Sequence, residues 1–107
     1  MSEHPLVSVG LPVYNGASRI RLVLDGLLDS TYENLEIIIS DNASTDDTES
    51  ICREFASRDS RIRYFRNDTN RGMDWNGMRT LELSVGKYFM PASHHDERDR
   101  TYISKCV

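Results

Sequence analysis

The sequence predicts an α/β domain built on a mostly parallel sheet flanked by helices. Three observations predict it. Short apolar runs alternate with stretches of helical periodicity in the order β-α-β-α-β-α-β, the pattern of right-handed parallel crossovers. Ile37, Ile38 and Ile39 form an unbroken β-branched run that suits burial on both faces of a sheet. Two of the apolar runs also break into polar, turn-forming loops, Tyr14-Asn15-Gly16 and the stretch from Asp41 to Asp47.

The elements follow in order. Residues 1–5 read as a polar tail, and Val7–Val13 as a buried strand. Ser18 is the expected N-cap of a helix running to about Leu28, because Ile20, Val23, Leu24, Leu27 and Leu28 share one face. Leu35–Ser40 is the second strand. Ser44 or Thr45 is expected to cap the second helix, with Asp46 and Asp47 in its first turn, where acidic groups suit the dipole. Ile51, Cys52 and Phe55 form its inward stripe. Ile62–Phe65 is a short third strand, and Asn67–Gly72 a polar loop. Met73–Val85 reads as a third helix ended by Gly86. Trp75, the only tryptophan, is expected in the core or at a domain interface. Tyr88–Ala92 is the fourth strand, and Thr101–Val107 begins a further helix.

Bulk properties narrow the function. A chain of 107 residues reads as one domain, large enough for a core without staples. Net charge is −4, which provides no basic field for nucleic acid or an acidic membrane. Cys52 and Cys106 make no disulfide framework and suggest a reducing, cytoplasmic compartment. No apolar run approaches the length of a membrane span, so any membrane association is expected of the full-length protein.

In open α/β sheets, ligands bind outside the carboxyl ends of strands. The two polar loops therefore gather Tyr14, Asn15, Asp41, Asn42 and Asp46 around one crevice. A dinucleotide fingerprint is missing, since the first turn has a single glycine, and a phosphate-binding P-loop is missing too. A receiver-type domain would place acidic residues where Tyr14-Asn15-Gly16 stands.

Five segments occur in a fixed order: Val7–Gly16, Ser40–Thr48, Asn70-Arg71-Gly72 with Asn76, Gly86-Lys87-Tyr88-Phe89, and an acidic run ending near Asp96. In these the chain resembles the nucleotide-sugar half of a family 2 glycosyltransferase with a GT-A, Rossmann-like fold, over essentially all of residues 6–107. The resemblance implies a nucleotide-diphospho-sugar donor, expected to be a UDP-sugar. It implies that Tyr14 lies against the base, that Pro12 shapes the strand end, and that Asn15 lines the loop. Asp41 matches the carboxylate that accepts from the base N–H, a charge-assisted bond; capping or an Asx turn is the alternative. Arg71 matches a position near the diphosphate, with a solvated loop arginine as its alternative. Asn76 matches a residue with a structural role.

The acidic loop departs from the family pattern. The carboxylate that holds a divalent cation falls at position 95, which is His95, and Ser93 stands where many members have the first Asp. Ser93 and His94 are expected to line the donor site, and His95 and Asp96 to bind Mn²⁺ or Mg²⁺, the histidine favouring Mn²⁺. In a second reading, Arg71, Arg98 or Arg100 carries the diphosphate over a weakened metal site. In a third, the site is degenerate.

The expected function is thus the donor-binding domain of an inverting, hexosyltransferase-type enzyme of polysaccharide synthesis. UDP is displaced by a hydroxyl of a glycan or lipid-linked acceptor. That displacement needs a general base, which the family places beyond position 107, so the chain is expected to stop before the acceptor half. The alternative is a non-catalytic nucleotide-binding or assembly module. Self-association through the apolar face exposed where the acceptor half would pack is also expected.

Overall fold

A computed structural model describes residues 4–92. The elements are β1 (Val7–Val13), α1 (Ala17–Leu28), β2 (Leu35–Asp41), α2 (Thr48–Arg58), β3 (Ile62–Arg66), α3 (Met73–Leu83) and β4 (Tyr88–Pro91). The four strands are parallel in the order β3-β2-β1-β4. The chain first winds outward from β1 to β3, then returns across the sheet to place β4 on the other side of β1. Right-handed crossovers in opposite directions put their helices on opposite faces. Accordingly α1 packs with α2, while α3 lies against β1 and β2. The order reverses at β1, so the crevice between the carboxyl ends of β1 and β4 is the switch point.

The two faces of the sheet differ in chemistry. Val7, Val9, Leu11 and Val13 join Leu35, Ile37 and Ile39 against Ile20, Val23, Leu24, Leu27, Ile51, Cys52 and Phe55. This is the apolar core, and all three consecutive isoleucines are fully buried. Burial pushes the Cys52 thiol up to about 12, which leaves it an inert core group. The α3 face buries Ser8, Glu36, Ser40, Asn76 and Thr80. Glu36 accepts from the Ser8 hydroxyl at 2.5 Å, the Val85 amide at 2.7 Å and Arg63 at 3.0 Å.

Helix ends depart from the sequence reading, and for one reason. Ser18 lies inside α1, which starts at Ala17 behind Gly16 with no side-chain cap of its own. Ser44 and Thr45 do not cap α2, which starts at Thr48. Asp47 flanks that helix and Asp46 precedes it, so neither is in its first turn. Side chains of these loops bond across to the other loop, and Asp46, from outside α2, accepts the first amide of that helix as well. α3 ends at Leu83 rather than Val85, with Ser84 after it. Gly86 is needed for close approach: a Cβ there would lie 2.5 Å from Ser8 Oγ and 2.8 Å from the Leu6 carbonyl. Trp75 is 40% exposed rather than in the core. With Met78 and Leu81 it forms an apolar stripe along the outer side of α3.

Candidate functional site

Three loops meet at the carboxyl ends of the strands. The first two are laced together. The amides of Asn15, Gly16 and Ala17 donate in turn to Ser44 Oγ at 2.8 Å, Thr48 Oγ1 at 2.9 Å and Asp46 Oδ2 at 3.2 Å. In return, Asn15 Oδ1 accepts the amides of Thr45 at 2.7 Å and Asp46 at 3.3 Å. Asn15 and Ala43 take left-handed backbone angles, φ 51° and 62°. Asn tolerates that region because its short amide bonds locally, whereas alanine adopts it against its preference. Asp46 Oδ1 accepts from the Thr48 amide and hydroxyl. Burial would raise the Asp46 carboxyl, but its Thr48 and Ala17 bonds outweigh that and hold it below the usual range.

One consequence is chemical. Backbone amides at the start of a helix are the groups that a phosphate-binding turn would offer, and here side chains of the second loop occupy those of Asn15, Gly16 and Ala17, the last being the first amide of α1. Tyr14, immediately before this laced segment, is 44% exposed at the crevice mouth.

Asp41 closes β2 and is fully buried. Its carboxylate accepts from the Ser44 amide at 3.0 Å, the Ser44 hydroxyl at 2.5 Å, the Tyr64 hydroxyl at 2.5 Å and Arg66 Nη1 at 3.3 Å. Those donors fill the acceptor capacity of a carboxylate. A base N–H can reach Asp41 only by displacing one of them. Burial, then the bond to Asp41, holds the Tyr64 hydroxyl well above its usual range, so it remains a donor.

The third loop is fixed by asparagines. Asn42 Oδ1 accepts from Asn67 Nδ2 and the Arg71 amide, both at 3.0 Å. Asn42 Nδ2 donates to Asn70 Oδ1 at 2.8 Å and to the Gly72 carbonyl at 3.2 Å. Buried Asn76 accepts from Ser40 and Asn67 and donates back to the Ser40 carbonyl. The Arg71 guanidinium stacks over the Trp75 ring, 5.0 Å from its centroid.

Of the residues expected in the donor site, Pro12, Tyr14, Asn15, Asp41 and Arg71 all come to this end of the sheet. Pro12 lies past the last β1–β4 pair, Gly10 with Pro91, where its missing donor breaks no ladder bond on that side. The Asn15 side chain is committed to the second loop. Ser93, His94, His95 and Asp96 lie outside the described residues. Among the described residues no three His, Cys, Asp or Glu side chains group to hold a metal. The sequence reading missed Ser44, Thr48, Tyr64 and Arg66. Tyr64 and Arg66 alternate on β3, and the signal for them was the pairing of Asp41 with Arg66, which requires the strand register.

Comparison with known proteins bears on this site. The model of glycosyl transferase family 2 matches residues 8–107. The chain belongs to glycosyltransferase family 2. An uncharacterized glycosyltransferase of Haemophilus influenzae is 36% identical over 111 residues, covering 100% of this chain and 33% of the relative. Glycosyltransferase GlyA of Streptococcus pneumoniae is 32% identical over 97 residues, covering 91% of this chain and 14% of GlyA. The chain thus spans a third or less of the length of these relatives. Among solved structures, the mannosyltransferase PcManGT of Pyrobaculum calidifontis, in complex with GDP-Man and Mn²⁺, superposes with a TM-score of 0.79 at 27% identity. That match covers 87% of this chain and 28% of PcManGT. Staphylococcus aureus TarS, in complex with UDP-GlcNAc, superposes with a TM-score of 0.84 at 20% identity, covering 94% of this chain and 29% of TarS. The second likeness speaks to the fold, which is the GT-A arrangement.

Proposed function

We propose that this domain binds the nucleotide of a nucleotide-diphospho-sugar, a UDP-sugar, for an inverting glycosyl transfer. The observation that carries the reading is the convergence of three loops at the carboxyl ends of β1, β2 and β3, next to the β1–β4 switch point, with Tyr14 exposed beside them. An exposed aromatic face beside rigid backbone suits a flat base. Because side chains take the Gly16 and Ala17 amides, the diphosphate is assigned to the side of the Asn70–Gly72 loop, where Arg71 stands over Trp75. Arg71 on an exposed ring can swing to a phosphate at small cost, and its fork matches phosphate oxygens. Asp41 supports the pocket from beneath by holding Ser44, Tyr64 and Arg66. Its direct contact with the base requires the Tyr64 bond to open.

His95 and Asp96 remain the proposed cation ligands, and Mn²⁺ bound to them would offset the charge of the departing diphosphate. The complex of PcManGT with GDP-Man and Mn²⁺ supports both the donor class and the metal. The acceptor of this reading is a glycan or lipid-linked hydroxyl, and no residue of this chain is assigned as its general base. A cytoplasmic setting is part of the same proposal; no helix among the described residues is long and apolar enough to cross a membrane.

The replacement of a carboxylate by His95 favours one other reading, a nucleotide-binding module without transfer. Calorimetric titration of the chain with UDP, with and without Mn²⁺, tests both. The donor reading expects binding that Mn²⁺ strengthens. Binding without a metal effect supports the module, and no binding of UDP or GDP overturns both. The 107-residue chain by itself is expected to transfer no sugar.

A further inference from the structure

We infer that Asp46 and Thr48 are positioning residues for the donor: a clasp that fixes the Tyr14 loop and closes the Gly16 and Ala17 amides to phosphate. The inference rests on the donor-binding reading. Thr48 is fully buried at the start of α2. Its hydroxyl accepts the Gly16 amide at 2.9 Å and donates to Asp46 Oδ1 at 2.5 Å. The other Asp46 oxygen takes the Ala17 amide at 3.2 Å. One carboxylate and one hydroxyl therefore join the beginnings of two helices that lie 31 residues apart in the chain.

Two effects follow. The clasp holds residues 15–17 with no free amide, so the position of Tyr14 is set by the second loop rather than by α1. The clasp also places a negative charge where the α1 dipole would otherwise attract an anion. A diphosphate entering the crevice meets Asp46 on that side and is directed toward the third loop. Neither residue needs to touch the donor. Their effect is to remove a competing orientation and to order the base platform before binding, which raises affinity by lowering the entropy lost.

The test compares four variants of the chain. Thr48→Val is nearly isosteric and leaves the Gly16 amide and Asp46 Oδ1 without that partner. Thr48→Ser keeps both bonds. Asp46→Asn, on an exposed residue, turns an acceptor at Ala17 into a donor and removes the charge while leaving the buried core untouched. Glu36→Gln perturbs the opposite end of the sheet and reports general destabilisation. UDP affinity is measured at a temperature where each variant is folded by its melting curve. Amide signals of Asn15, Gly16 and Ala17 are followed by NMR during titration with UDP and with inorganic pyrophosphate.

Thr48→Val and Asp46→Asn are expected to weaken UDP by about tenfold or more, while Thr48→Ser and Glu36→Gln stay within about threefold of the parent. Pyrophosphate is expected to shift the Gly16 and Ala17 signals in Asp46→Asn and not in the parent. Should Thr48→Val fail to fold, Asp46→Asn carries both readouts. Unchanged UDP affinity in Asp46→Asn, or an equal loss in Glu36→Gln, overturns the clasp while leaving the donor reading intact. A parent chain that binds no nucleotide overturns the donor reading and the clasp with it.

Discussion

The Tyr64 hydroxyl donates to Asp41 Oδ2 at 2.5 Å, joining the middle of β3 to the carboxyl end of β2. With Arg66 and Ser44 it makes Asp41 a buried anchor. Tyr64→Phe removes one donor and is expected to destabilise the domain by about 1–2 kcal/mol. Asp41→Ala leaves the Tyr64 hydroxyl and the Ser44 amide and hydroxyl without their acceptor and is expected to cost about 3 kcal/mol or more. Urea unfolding of both variants checks the order; a larger loss from Tyr64→Phe contradicts it.

Gly10 sits where β1 passes closely beneath α3. An added Cβ would meet the Thr80 hydroxyl and come within 2.6 Å of the Phe89 ring. Gly10→Ala must displace one of them, and overpacking of this kind costs about 1–3 kcal/mol. Thermal melting is expected to show the loss. A variant as stable as the parent would mean that α3 and β4 shift freely.

Acid should weaken the fold. Glu36 and Asp46 are raised by burial but lowered further by their hydrogen bonds, and Arg21 and Arg61 lower Glu54 and Asp59. Each folded carboxyl is therefore depressed below its unfolded value. Such a group contributes fully above the unfolded value and loses that contribution as pH falls through the folded one. Melting temperature is expected to hold level down to about pH 4.5–5 and then fall. Glu36→Gln should flatten part of that fall, because the neutral amide no longer titrates against Arg63. A melting temperature that rises below pH 4.5 contradicts the assignment.

Trp75, Met78 and Leu81 are exposed along α3, and we propose this stripe as the surface of self-association. Sedimentation velocity across a concentration series should show a dimer that Met78→Glu abolishes. A monomer at every concentration would remove the proposal.

The sequence made the strands legible because β-branched runs and turn residues are local signals. Val7–Val13 and the isoleucine run of β2 stand where the pattern placed them. The start of α1 was less legible because its first amide is met from elsewhere in the chain. Ser44 bonds Asn15 and Asp41, not α2, and Asp46 reaches Ala17 across 29 residues. The site was legible in part for the same reason. Tyr14 and Asp41 announce themselves at strand ends. Tyr64 and Arg66 become partners of Asp41 only through the β2–β3 register.

The most direct measurement is a crystal structure of the chain with UDP and Mn²⁺. The uracil ring is expected against Tyr14, the diphosphate on the Arg71 side of the crevice, and the cation on His95 and Asp96. Nucleotide bound away from the β1–β4 switch point, or phosphate seated on the Gly16 and Ala17 amides with the Asp46 clasp open, would contradict it.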